Sequence, residues 1–178
     1  MIVKVKFIND RAKELYLDAS DQKSIFPFKT HLDDFCYDVV ATSCELVAPN
    51  VYKYGIGLAF QIERGNEVIE DTTAVIWSCV KTLYTPSSPL NLSLDFRPRS
   101  SIWKTGMVLS NCVGTIDEPY TGEVSAVFYH LFPDMPIYKV GDRIGQIKIG
   151  VTFPMEFIEV EQLDKTTRGA GGYGSTGK

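Results

Sequence analysis

Ten residues, Gly114-Thr115-Ile116-Asp117-Glu118-Pro119-Tyr120-Thr121-Gly122-Glu123, separate two apolar runs of β type, 107–109 and 124–131. Two glycines and a proline interrupt regular structure, so the stretch predicts a β-hairpin whose tip carries polar and aromatic groups. Asp117 follows the apolar Val113 and Ile116, where a strand meets a site. A carboxylate so placed can hold and polarise a water. Tyr120 can offer a flat face to a sugar or a base. In isolation both are better explained as turn residues, and it is the other segments of the chain that change the balance.

The 178 residues suit one domain. With 44% apolar residues and mixed charges, the chain is globular rather than disordered. A formal net charge of −4 argues against a general nucleic-acid binder, which would be basic. No apolar run is long enough to cross a bilayer, so no membrane binding is expected. Residues 1–7 alternate lysine with apolar side chains and do not read as a signal peptide. Cys36, Cys44, Cys79 and Cys112 lie far apart with no CxxC pair. They are expected to be reduced, buried thiols of a cytoplasmic protein rather than disulfides or a zinc site. His31 and His130 are isolated, and neither is assigned to a metal.

Along the chain, Val3, Val5 and Phe7 predict a half-buried strand near a sheet edge. Residues 9–18 fit a short helix, weakened by Tyr16, Asp18 and Ser20. Three aspartates follow within 33–38, without the spacing or glycine of a calcium loop. Of these, Asp38 sits between Tyr37 and Val39 in a strand-like context and is the one that is placed rather than solvated. Residues 51–62 predict a strand, bent at Gly55 and Gly57. Residues 64–93 read as a hairpin-like excursion whose apolar core, 74–80, must pack on the domain or on a partner.

Residues 102–105 have room for about one helical turn before Gly106 stops it. Ser100 and Ser101 would then stand at its N-terminus beside Arg99, either as an anion site or as an ordinary serine cap. A turn at Gly141-Asp142 precedes a strand bearing Arg143 and Gln146. Arg143 is expected to pair with a carboxylate and brace the fold, whereas Gln146 can reach a site as an amide donor. Residues 151–160 predict a further strand, broken at Pro154. The tail from Thr167 to Lys178 holds five glycines and cannot build a core, though its backbone N–H groups can wrap a polyphosphate. Gly172 to Lys178 nearly spells a P-loop, but the Ser or Thr and helix that must follow are missing.

Five ordered motifs stand out: Tyr37-Asp38-Val39; Pro98-Arg99-Ser100-Ser101 with Gly106; Asn111 with the Gly114–Glu123 run; Gly141-Asp142-Arg143-Ile144-Gly145-Gln146; and Arg168-Gly169-Ala170-Gly171-Gly172-Tyr173-Gly174-Ser175-Thr176-Gly177. In this order and spacing the chain resembles the trimeric, all-β dUTPases. The resemblance implies one domain over 1–178, a distorted β-barrel or jelly roll, with 64–93 inserted and 165–178 a flexible lid. It implies that Asp117 is the general base for water attack on the α-phosphorus of dUTP. Tyr120 would pack under the deoxyribose, and Asn111 with Gly114, Thr115 and Ile116 would read uracil. Arg99, Ser100, Ser101 and Gln146 would hold the phosphates, and Asp38 would position Mg2+ through water. Arg168 and the glycine strip with Gly174 and Ser175 would clasp the terminal phosphate while Tyr173 stacks on the base. The implied assembly is a homotrimer with shared sites, with 64–93 a possible docking segment for a protein partner.

This chain departs from the family pattern at Phe35-Cys36, where small residues are usual, and at Tyr173, where phenylalanine is common. Two rivals remain on the sequence: a dCTP deaminase of the same superfamily, which would release ammonia from dCTP, and a dUTP-sensing regulator without turnover. The intact Asp117, Tyr120 and tail argue against the second.

Overall fold

The computed structural model describes residues 1–63 and 91–171. These form nine strands and one α-helix: β1 (Ile2–Phe7), α1 (Asp10–Ala19), β2 (Tyr37–Val40), β3 (Glu45–Ala48), β4 (Val51–Glu63), β5 (Asn91–Pro98), β6 (Met107–Leu109), β7 (Gly114–Asp117), β8 (Glu123–His130) and β9 (Arg143–Thr152). A 3-10 helix, Ser100–Lys104, follows β5. One antiparallel sheet runs β1-β4-β8-β6 with β3 also on β4, and the other runs β2-β9-β5-β7. Both are open sheets, so the expected all-β, jelly-roll-like class holds while a closed barrel does not form among the described residues.

The first sheet follows its sequence cues. β1 buries Val3, Val5 and Phe7 by halves and lies at the edge, paired only with β4. α1 forms despite weak propensity because Asn9 caps it, its side chain accepting from Ala12 N at 3.0 Å. The helix also buries Ala12, Leu15 and Tyr16. The Tyr16 hydroxyl donates to Ile56 O (3.2 Å) and accepts from Val40 N (3.3 Å), and burial pushes its pKa up. β4 shifts register at its glycines: Val51 to Gly55 pair with β8, pairing resumes at Ala59 opposite Glu123, and residues 58–63 pair with β1. Gly57 takes φ +67° there, a conformation open to glycine.

The core lies between the sheets. Tyr54, Phe96, Phe128 and Tyr138 meet edge to face, with centroids 5.7–6.3 Å apart. Gly145 on β9 faces the Phe96 ring so closely that any Cβ would run into it.

Four expectations need correction. The segment 114–117 is not a hairpin tip. β6 and β8 pair as that reading requires, but Gly114–Asp117 leaves them to become β7 on the second sheet, against β5. The glycine and proline signals mark the two ends of this crossing strand instead. Residues 153–160 form no strand, because β9 ends at Thr152 and the apolar Phe153, Met155, Phe157 and Ile158 stand exposed. The supposed excursion 64–93 ends too late: Asn91, Leu92 and Ser93 already belong to β5, and the rest of it lies outside the described residues. Among the described residues the three thiols are free, but Cys44 and Cys112 are exposed and Cys36 half-buried; Cys79 lies outside them.

Gly145→Ala is expected to cost about 1–3 kcal/mol by overpacking against Phe96, read as a lower urea midpoint with an unchanged m-value.

Candidate active site

On the second sheet, residues opposite one another in register share a face. Asp38 on β2 faces Gln146 on β9, and Gln146 faces Arg97 on β5. Asp95 faces Lys148 on one side and Thr115 on the other, and Ser93 faces Asp117. Thus one face carries a polar strip from β2 to β7, while Leu94, Phe96, Ile116 and Ile147 fill the core behind it.

At the β2 end lies a cradle built around a carboxylate. Asp38 is 8% exposed, and its Oδ1 meets Arg99 Nε at 3.1 Å while its Oδ2 meets an Arg143 guanidinium nitrogen at 3.3 Å. Arg143 donates also to Thr30 Oγ1 at 3.1 Å, so it braces the fold as expected. Gln146 Nε2 donates to Pro98 O at 3.4 Å, just where β5 gives way to the 3-10 helix. That helix opens at Arg99, whose side chain does not cap it, and it begins with Ser100 and Ser101. Asp38, Arg99, Ser100 and Gln146 line one cavity of about 450 Å³. Its other wall is the loop Phe28, Thr30, His31, Asp34, Phe35 and Cys36, of which the sequence pointed only to Phe35-Cys36. With the Arg99 guanidinium, the Ser100 hydroxyl and the Gln146 amide converging on it, the cavity suits a phosphate chain.

At the β7 end, Gly114 is buried against Phe96 and Asn111. Alternation then turns Thr115 and Asp117 outward and Ile116 toward the core. Asp117 is exposed and closes a turn, its carbonyl accepting from Tyr120 N at 2.9 Å. The Tyr120 hydroxyl donates to Glu123 O at 2.9 Å, so the ring lies over Gly122 in a fixed orientation. Tyr120 borders a second cavity of about 410 Å³, with Ser43, Glu45, Lys53, Gly55, Glu123 and Ser125.

The two ends do not meet within one chain. Asp117 stands opposite Ser93 and Gln146 opposite Arg97, on opposite sides of β5 and four residues apart along it. At ~3.3 Å per residue and ~4.8 Å between strands, that is roughly 16 Å. Between them lies a closed charge cluster, with Asp95 bound by Lys148 (3.3 Å), Arg97 (3.7 Å) and Ser93 Oγ (2.9 Å). In the tail, Arg168 Nε donates to Gly171 O at 2.9 Å in an exposed turn. Tyr173, Gly174 and Ser175 lie outside the described residues.

The family model described as dUTPase matches residues 76–177. The deoxyuridine 5'-triphosphate nucleotidohydrolase of Nautilia profundicola is 31% identical over 167 residues, covering 93% of this chain and 99% of that protein. The Corynebacterium glutamicum protein of the same name is 32% identical over 161 residues, covering 89% and 91%. The chain belongs to the dUTPase family. Among solved structures, a dUTPase of Staphylococcus bacteriophage 80alpha in complex with dUpNHpp aligns with a TM-score of 0.64 at 18% identity, covering 99% of both chains. A dUTPase from phage phi11 of S. aureus aligns with a TM-score of 0.58 at 16% identity, over 93% of this chain and all of that one. In a dUTPase-family chain, the cradle around Asp38 falls on the first, second and fourth motifs and the β7 end on the third.

Magnesium has no ligand cluster here: among the described residues no group of three His, Cys, Asp or Glu side chains could hold a metal. Both Asp38 oxygens already face guanidiniums. This donor set fits an ion that arrives on a triphosphate and is held by phosphate and water oxygens, not one held by the protein.

Asp38→Ala would leave Arg99 and Arg143 facing each other without their counter-charge. It is expected to cost about 1–3 kcal/mol, a buried-pair penalty lowered by the arginines' partial exposure. Thermal unfolding would record the loss, and 0.5 M salt would reduce it by screening.

Proposed function

We propose that the chain hydrolyses dUTP to dUMP and pyrophosphate in a site assembled from more than one copy of itself. The observation that carries this reading is the distance between Asp117 and the phosphate cradle within one chain. A water and one phosphoryl group cannot bridge it, so a productive site needs Asp117 of one copy beside the cradle of another. The exposed apolar run Phe153, Met155, Phe157, Ile158, Val160 and Leu163 supplies a surface that a neighbouring copy would cover. Both features support a homotrimer with shared sites.

In that site the Asp117 carboxylate takes a proton from water as its oxygen forms a bond to the α-phosphorus. The bond from that phosphorus to the bridging oxygen breaks, and pyrophosphate leaves with the electron pair. Arg99, Ser100, Ser101 and Gln146 neutralise the charge that spreads over the phosphate oxygens, together with the magnesium that travels with dUTP. Asp38 holds Arg99 in place and reaches that magnesium only through water. Tyr120 lies flat under the deoxyribose and leaves no room for a 2′-hydroxyl. The backbone of Gly114, Thr115 and Ile116, with Asn111, pairs with the polar edge of uracil. It rejects cytosine by mismatched donors and thymine by lack of space. The tail closes last: Arg168, Gly174 and Ser175 reach the terminal phosphate, and Tyr173 stacks on the base, shutting out bulk water. Of the segment 64–93, residues 64–90 remain the candidate docking segment for a protein partner.

Asp117→Asn is expected to lower kcat by about 10²–10⁴ while the protein still binds a non-hydrolysable dUTP analogue; undiminished turnover would remove Asp117 from the role of base. Mixing two inactive variants, Asp117→Asn and Ser100→Ala, after joint unfolding and refolding tests the shared site. Random assembly leaves about a quarter of sites with both parts intact, so pyrophosphate release should return to that level. No recovery would place the whole site on one chain. Release of ammonia from dCTP, rather than pyrophosphate from dUTP, would favour the deaminase instead.

A further inference from the structure

The register of β4 on β8 shifts between Gly55, opposite Ser125, and Ala59, opposite Glu123. Ile56, Gly57 and Leu58 stand there against Val124 alone, so β4 bulges. Gly57 lies inside the bulge, buried, and neither β1 nor β8 has a residue paired with it. Its carbonyl accepts from Ile8 N at 2.9 Å. Its N–H is left out of the ladder, and a buried N–H needs an acceptor. Glu123 supplies one: Gly57 N donates to Glu123 Oε1 at 2.9 Å. Gly55 makes room for this, since a Cβ there would stand 2.5 Å from the same oxygen.

Glu123 is also bound to the turn that precedes it. Its carbonyl accepts from the Tyr120 hydroxyl at 2.9 Å, and Tyr120 N donates to the Asp117 carbonyl at 2.9 Å. A continuous path of hydrogen bonds thus runs from the β4 bulge through Glu123 and Tyr120 to Asp117. Tyr120 is 48% exposed, so packing holds only part of its ring and the turn's own bonds must fix the rest. Beyond the register shift, Ala59 opposite Glu123 is the last β4–β8 pair among the described residues. The carboxylate is therefore a second tether on the strand end that carries Tyr120's acceptor.

We propose that Glu123 is a positioning residue for sugar recognition: its carboxylate, tied to the Gly57 N–H, fixes the turn that holds the Tyr120 ring under the deoxyribose, and so sets the preference for a 2′-deoxynucleotide over a ribonucleotide. This inference rests on the role given to Tyr120 above. Glu123 touches no substrate atom and acts through the tyrosine. What matters in it is the acceptor oxygen, not the charge.

The full-length protein is compared with Glu123→Ala, which removes the acceptor, and Glu123→Gln, which keeps an oxygen for the Gly57 N–H. Turnover is measured on dUTP and on UTP with magnesium. In Glu123→Ala the ratio of kcat/KM for dUTP to that for UTP should fall about tenfold, the size of one hydrogen bond to a charged group. Its melting temperature should drop by a few degrees. Glu123→Gln should melt close to wild type and keep the ratio within twofold. Tyr120→Phe, which frees the ring from the same turn, should lower the ratio alone, and adding Glu123→Ala should lower it no further. A lower melting temperature with an unchanged ratio would overturn the proposal and leave Glu123 a purely structural tether. Additive losses would overturn it as well, because Glu123 would then act independently of Tyr120. So would Glu123→Gln behaving like Glu123→Ala, which would put the effect on the charge. Should Glu123→Ala fail to fold, Glu123→Asp, one methylene shorter, takes its place with the same expected fall. Wild-type protein that splits neither nucleotide would overturn the functional reading and this inference with it. An active enzyme whose variants keep the wild-type ratio overturns this inference alone.

Discussion

Eight residue pairs join β5 to β9, from Asn91 opposite Thr152 to Pro98 opposite Gly145, and every functional side chain takes its place from that register. Side chains alternate across a strand, so a slip of one residue would turn Asp95 and Arg97 into the core and Leu94 and Phe96 out to solvent. The register is held from behind by bulk, since Phe96 fits only where β9 offers Gly145. It is also held from in front by charge, through Lys148 on Asp95. β2 and β7 then attach to the two outer edges of this pair and carry Asp38 and Asp117 with them.

The cradle gathers two guanidiniums about one carboxylate. Asp34 lines the same cavity, so the two guanidiniums are balanced by two carboxylates in a chain whose net charge is −4. Asp38 keeps Arg99 and Arg143 from repelling one another, which explains why a carboxylate stands between the two guanidiniums.

Much of this was legible in the chain. The alternation of Val3, Val5 and Phe7, the bend at Gly55 and Gly57, and the turn at Gly141 are local signals, and each produced the expected element. Asp38 was recognisable as placed because its neighbours are β-formers. What failed was non-local. The path of 114–117 depends on whether its edge meets β8 or β5, and the residues themselves have no means of stating that. Residues 153–160 have strand-like composition, yet a strand needs a partner, and the described residues offer them none. The loop bearing His31 and Phe35 reaches the cradle only through the fold of β2.

The same non-local gap explains the division of the site. A single sheet face could have brought acid and cradle together by placing β7 next to β2, but β5 and β9 stand between those strands, and a salt-bridged cluster fills the space. Shortening the gap inside the chain would mean dismantling the pairing that sets every other position. Bringing a second copy's β7 to the cradle leaves that pairing intact, and the exposed apolar residues beyond β9 give copies a reason to associate. Catalysis would then require assembly. An isolated chain, with its acid facing solvent and its cradle empty of a base, could bind a triphosphate without cutting it.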